Sequence, residues 1–226
     1  MNNQALCGAF DPGVKAMTFE LWIAFVAAST ALLLIPGPTV LLVMSYALGQ
    51  GRRVALATVA GVALGDLIAM TASLAGLGAL VLASAQLFVV LKWLGAIYLI
   101  YLGIKLFRSA SSARLGDTKA MSGIPSKGVF GHAAAVTALN PKSIVFFIAF
   151  VPQFIVPTQP LMPQFVILVV TFVGLAAINA LAYALLADQL RNKISRPAVI
   201  GWLTRFGGAA LVTMGVATAA LKRANA

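Results

Sequence analysis

Acidic residues are scarce in this chain: five Asp and Glu stand against sixteen Lys and Arg in 226 residues. Cysteine and histidine are scarcer still, with one of each, Cys7 and His132. A lone cysteine closes no intramolecular disulfide, and without a Cys/His cluster there is no structural metal centre. Charged residues of both signs reach only 9% and hydrophobic types reach 61%, for a mean hydropathy of +0.99. A soluble domain is about half apolar and about a quarter charged, so this chain cannot cover its apolar surface with polar groups. Disorder is excluded for the opposite reason, since it requires low hydrophobicity and high charge. No segment alternates in polarity as a β-barrel strand does. The composition leaves an all-α integral membrane protein.

The formal charge of +11 sits mainly between apolar runs. It therefore reads as a set of topology signals and contacts with anionic membrane lipid, and no nucleic-acid partner is expected. There is no zinc motif, no nucleotide-binding loop and no nucleophile beside an obvious base. The sequence points to no enzyme, no cofactor and no ATP-driven pump.

A membrane-spanning helix needs about 20 mostly apolar residues. Six candidates follow one another, over about 20–47, 54–82, 86–107, 129–151, 163–187 and 206–221, with an earlier start open for the last. The sixth is the shortest, because Arg205 and Lys222 bound it. Prolines at 152, 157, 160 and 163 mark the loop before the fifth. Residues 1–18 form an N-terminal tail without the basic start and apolar core of a signal peptide. Residues 1–16 read as a mis-called start or a dispensable tail, with Met17 the more natural beginning. Arg52, Arg53, Arg108, Arg114, Lys119, Lys127, Arg191, Lys193 and Arg196 fall on one side of the membrane, against Lys15, Lys222 and Arg223 on the other. The richer side faces the cytoplasm, which places both termini outside.

Cutting the chain at the basic cytoplasmic loop 108–128 gives a first three-helix repeat at 19–107 and a second at 129–226. An odd number of spans makes the second repeat inverted. Ile35-Pro36-Gly37-Pro38-Thr39-Val40 lies over Leu139-Asn140-Pro141-Lys142-Ser143-Ile144 at a constant offset of 104. Proline within a helix costs roughly 3 kcal/mol, and in lipid the freed backbone groups need new partners. Two such breaks in matching places point to broken helices one and four around a central site, with packing kinks as the alternative.

Asp66 is the only acid deep in a span. An ionised Asp at bilayer centre costs about 2.5–3.5 kcal/mol on insertion scales. It is either a structural ion pair with Lys142 or a proton or substrate-ammonium site, and the second is preferred. Lys142 is a counter-charge for a substrate carboxylate or for Asp66, with snorkelling as the alternative. Pro36, Gly37, Pro38, Asn140 and Pro141 shape the breaks. Asn179 and Tyr183, one turn apart, are candidate cavity-facing groups. Gly61 and Gly65 form a helix-packing pair. Lys92 and Lys105 read as snorkelling residues, Tyr101 and His132 as interfacial, and Asp188 as the end of span five.

Several spaced motifs resemble the lysine-exporter type (LysE/RhtB) amino-acid efflux family. They are Pro36-Gly37-Pro38, the Gly61 to Gly65 region, and Leu91-Lys92-Trp93-Leu94-Gly95-Ala96-Ile97-Tyr98-Leu99 through Gly103 and Lys105. Asn140-Pro141-Lys142 with Phe146-Phe147 and Pro152-Gln153-Phe154, and Arg205 before Gly207 and Gly208, complete the series. The likeness runs from about residue 17 to 221. It implies a bacterial inner-membrane exporter of amino acids, driven by the proton gradient. It leans to the homoserine/threonine-type branch and to neutral substrates such as homoserine, threonine or leucine. Export of another small solute and a non-transporting membrane scaffold are the alternatives. A homodimer is compatible with the sequence.

Overall fold

The computed structural model describes residues 17–35, 37–50, 54–83, 85–109, 125–156, 158–189 and 197–220. The tail 1–16, Pro36 and residues 110–124 of the basic loop lie outside the described residues, as do the side chains of Lys92 and Asp188. Among the described residues every regular element is helical. We number them α1 (Phe19–Leu34), α2 (Pro38–Gln50), α3 (Ala55–Ala83), α4 (Ala85–Ser109), α5 (Ser126–Ala138), α6 (Pro141–Ala149), α7 (Leu161–Gln189) and α8 (Pro197–Ala220). A short 3-10 turn, Val151–Phe154, follows α6.

The apolar runs fold as helices because lipid offers no partner for backbone N–H and C=O groups. Thr18 caps α1, its Oγ1 accepting from the Leu21 N–H at 3.4 Å. Pro38 and Pro141 open α2 and α6 at positions where a missing N–H costs nothing. The first and fourth apolar runs are each divided. The α1–α2 pair bends by 56°, and the α5–α6 pair with its 3-10 turn bends by 44°. By length and composition α3 and α7 cross a membrane singly, and each bent pair is long and apolar enough to make one further crossing. The last helix begins at Pro197, the earlier start that the sequence left open for the sixth span. Arg205 lies exposed within it, so its charge does not end the helix.

Side-chain contacts fix how the helices run relative to one another. Trp22 and Leu33 of α1 meet Thr171 and Asn179 of α7 in the same order, so these two run parallel. So do α3 and α5, where Gly61 faces Phe130 and Ala133, and Gly65 faces Ala134 and Thr137. Helices α4 and α8 run antiparallel: Gly103 meets Gly208, whereas the earlier Ala96 and Ile100 meet the later Gly215. Small residues let these backbones touch. A Cβ on Gly61 would lie 2.5 Å from the Phe130 carbonyl oxygen, and one on Gly65 2.6 Å from that of Ala134. In lipid, where apolar burial gives little drive, such close contact is what holds helices together.

Beyond the second break the interior is aromatic. Phe146 stacks on Phe150 at 5.2 Å, Phe150 meets Phe154 at 5.3 Å, and Phe154 meets Phe25 of α1 at 5.3 Å. Phe147 packs edge-on against Phe172 of α7 at 4.8 Å. The turn before α7 is irregular, and the buried Gln164 satisfies it. Its Oε1 accepts from the Val156 N–H at 2.8 Å, and its Nε2 donates to the Val156 and Pro160 carbonyls, both at 3.0 Å.

Candidate functional site

A helix leaves its last four carbonyls without intrahelical partners. In α1 this falls deep in the structure, and the second half of the chain supplies the donors. Lys142 Nζ donates to the Leu32 carbonyl at 3.1 Å and to the Ile35 carbonyl at 3.0 Å. Asn179 Nδ2 donates to the Leu33 carbonyl at 3.1 Å, and the Tyr183 hydroxyl to that of Leu34 at 3.2 Å. Four consecutive carbonyls are thus capped by three side chains from α6 and α7. The reason is energetic, since each unsatisfied group in a hydrocarbon setting costs on the order of several kcal/mol.

The second break is closed by Asn140. Its Oδ1 accepts from the Lys142 N–H at 3.1 Å and caps α6, while its Nδ2 donates to Thr39 Oγ1 at 3.2 Å. Thr39 Oγ1 also shares a hydrogen bond with Thr137 Oγ1 at 3.4 Å. The start of α2, the end of α5 and the start of α6 therefore form one connected polar network.

A small pocket lies where the two breaks meet. Its polar wall is Thr39, Asp66, Asn140, Lys142, Ser143 and Asn179, and its apolar wall includes Leu32, Val40, Val43, Val62 and Ala176. The space within is about 20 Å³, room for about one water. Asp66 and Lys142 are its two ionisable groups, 3% and 7% exposed. They make no ion pair within 4.0 Å, and the Asp66 carboxylate makes no hydrogen bond to a described residue. The direct Asp66–Lys142 bridge expected as one alternative is absent, because the Lys142 ammonium is turned to the α1 carbonyls instead. The first turns of α2 and α6 both border the pocket through Thr39, Val40 and Ser143. Each turn presents the positive end of a helix dipole.

Of the residues singled out from the sequence, Asp66, Asn140, Lys142 and Asn179 come together here. Gly37 is buried immediately behind the Lys142 side chain. Pro38 and Pro141 are exposed at their helix starts, and Pro36 lies outside the described residues. Tyr183 does not line the pocket. Its hydroxyl is spent on the α1 terminus, because the α7 turn that carries it lies beside Leu34. Gly61 and Gly65 stand apart, on the α3–α5 contact. His132 is exposed, with Nδ1 2.7 Å from the hydroxyl of the buried Tyr46. Thr39 and Ser143 were not anticipated. The signal was present in each case, a hydroxyl in the first turn of a helix that starts at proline.

Comparison with known proteins supplies what geometry alone does not. The LysE type translocator family matches residues 30–221. A homoserine/homoserine lactone efflux protein of Salmonella typhimurium is 37% identical over 209 residues, covering 92% of this chain and 100% of that protein. An uncharacterized membrane protein of Vibrio cholerae is 33% identical over 206 residues, covering 91% of this chain and all of the other. A leucine efflux protein of Salmonella choleraesuis is 32% identical over 136 residues, 60% of this chain and 64% of that protein. No solved structure matches the chain. With its family pattern spanning most of the sequence, this membrane protein belongs to the LysE type translocator family and is a transporter, not an enzyme.

Proposed function

We propose that the chain exports neutral amino acids, such as homoserine, threonine or leucine, from the cytoplasm by proton antiport across the bacterial inner membrane. The observation that carries this reading is a pocket at the meeting of two helix breaks, lined by one buried acid and one buried base. A zwitterion needs both signs of charge within one small site. The relatives named as efflux proteins for homoserine and leucine support the substrate class.

The architecture proposed is six crossings in two inverted repeats, 19–107 and 129–226, with both termini outside. The α1–α2 pair, α3 and α4 form the first repeat, and the α5–α6 pair, α7 and α8 the second. Two features support it. The parallel α1–α7 contact is the counterpart of the parallel α3–α5 contact when the repeats are exchanged. Gly103 and Gly208 also exchange, each facing the other across the antiparallel α4–α8 crossing. In this frame the phenylalanines beyond α6 close the pocket on its outer side.

Within the pocket, the first turns of α2 and α6 with Lys142 receive the substrate carboxylate. Break carbonyls and Asp66 receive its ammonium. The pocket is too small for an amino acid as it stands, so binding requires one repeat to rock against the other. A proton arriving on Asp66 from outside removes the charge that holds the ammonium and releases the substrate outward. Returning inward with that proton resets the site.

The test is export from cells that lack their own exporters and are loaded with dipeptides, with every amino acid outside quantified. The expected result is excess release of one or a few neutral amino acids, lost in Asp66→Asn and Lys142→Ala proteins that still reach the membrane. Absence of any excess, with the protein in the membrane, rejects the reading.

A further inference from the structure

The Lys142 ammonium has three N–H donors. Two of them go to the carbonyls of Leu32 and Ile35, at 3.1 Å and 3.0 Å. The side chain reaches them by crossing Gly37, where a Cβ would come 3.3 Å from Nζ and 3.4 Å from Cε. Glycine at 37 leaves the room through which the lysine stem passes from one repeat into the break of the other. The ammonium ends beside the same pocket that Asp66 lines. Two carbonyl acceptors and a largely buried carboxylate that makes no hydrogen bond to a described residue are a set that recognises a primary ammonium. An α-amino acid carries that same group.

We propose that the Leu32 and Ile35 carbonyls form a primary-ammonium site that Lys142 occupies from within the chain, and that the ammonium of the transported amino acid takes this site over. The inference rests on the transport reading above and assigns the substrate's ammonium a position within it. The exchange leaves no charge unpaired. The incoming ammonium replaces Lys142 on the two carbonyls, and the substrate carboxylate receives the displaced Lys142. A simple alkylammonium brings no acceptor for Lys142 and therefore competes poorly in the native protein. The self-filled site also keeps the break capped when no substrate is bound.

The experiment uses the full-length protein in nanodiscs, with thermal stabilisation as the readout of binding. The probe is n-propylammonium, with tetramethylammonium as a cation that has no N–H donor. Lys142→Met keeps most of the apolar stem and removes the ammonium. It is expected to be stabilised saturably by propylammonium, half-saturating about tenfold or more below the native protein. Tetramethylammonium is expected to have no such effect, and L-homoserine or L-leucine to displace the propylammonium. If Lys142→Met does not fold, Lys142→Ala decides, because it too empties the site of its ammonium. Saturable propylammonium binding in that variant supports the site, and its absence overturns it. Equal responses of native and variant proteins, an equal response to tetramethylammonium, or displacement by neither amino acid also overturns the proposal. Absence of any amino-acid export by the native protein in cells, with propylammonium binding intact in the variant, refutes the transport reading alone.

Discussion

Asn179 of α7 donates its side-chain amide to the Leu33 carbonyl at 3.1 Å, in the last turn of α1. The two residues are 146 positions apart, so the bond ties the halves of the chain at the point where α1 stops. Asn179→Ala leaves that carbonyl without its donor. Removing one partner of a buried bond costs about 1–3 kcal/mol, and this partly buried one belongs at the lower end, about 1 kcal/mol. The variant is expected to melt at lower temperature in nanodiscs and to carry less flux, since Asn179 also lines the pocket. Tyr183→Phe removes the donor to Leu34, a more exposed bond, and is expected to cost about 1 kcal/mol or less. A melting temperature for Asn179→Ala equal to that of the native protein contradicts this account.

The α3–α5 contact makes a sharper demand. Gly61 and Gly65 lie against the backbone and Cβ atoms of α5, which cannot swing aside as a long side chain can. Gly61→Leu and Gly65→Leu must push the two helices apart. Overpacking of this kind costs about 1–3 kcal/mol, more where backbone has to move. Gly76 and Gly174 are helical glycines with nothing within 4 Å of their ideal Cβ positions. Gly76→Ala and Gly174→Ala should be tolerated or slightly stabilising, by up to about 1 kcal/mol of helix propensity. Parallel thermal melts of the four variants check the contrast. Equal behaviour in both pairs removes close approach as the reason for Gly61 and Gly65.

These two cases mark what the sequence could carry. Gly61 and Gly65 stand four apart, and small residues at that spacing already signal a helix contact. The prolines at 38 and 141 likewise signalled helix starts, and Asp66 stood out because an acid in an apolar run needs a reason. The partners were not legible. Nothing in a linear pattern tells that Lys142 turns from Asp66 to the carbonyls of Leu32 and Ile35. That choice depends on the three-dimensional accounting of the four carbonyls at the α1 terminus, of which only that of Leu32 has a backbone donor among the described residues. Tyr183 misled for the same reason: its spacing from Asn179 places both on one face of α7, but the face spans the pocket edge and the α1 terminus. Arg205 left the start of the last helix open, since a charge that bounds an apolar run need not bound a helix whose exposed side can carry it.

Asp66 carries the coupling prediction. Its carboxylate is buried and makes no hydrogen bond to a described residue, so its substitution by the isosteric amide disturbs little packing. Asp66→Asn is expected to fold and reach the membrane while losing the response of flux to pH. In proteoliposomes loaded with substrate, an acid exterior should accelerate efflux through the native protein and leave the variant unchanged. The sign follows from antiport, in which an inward proton is exchanged for an outward amino acid. Native flux that ignores the imposed gradient would remove the proton from the mechanism.

The direction of the helices carries the topology prediction. The α1 and α7 helices run parallel, α3 and α5 run parallel, and α4 opposes α8. Six alternating crossings satisfy all three relations at once, with α1 and α7 descending to the cytoplasm while α3, α5 and α8 rise from it. The segment between α2 and α3 then lies inside, and the turn before α7 lies outside. In a Cys7→Ser background, Thr158→Cys should react with a membrane-impermeant maleimide in intact cells, and Arg52→Cys only after permeabilisation. A compartment-sensitive reporter at the C-terminus should report the outside. Labelling of Arg52→Cys in intact cells inverts the assignment. A C-terminal reporter on the cytoplasmic side with Thr158→Cys still labelled means that α8 does not cross, which would break the match between the two repeats at its last helix.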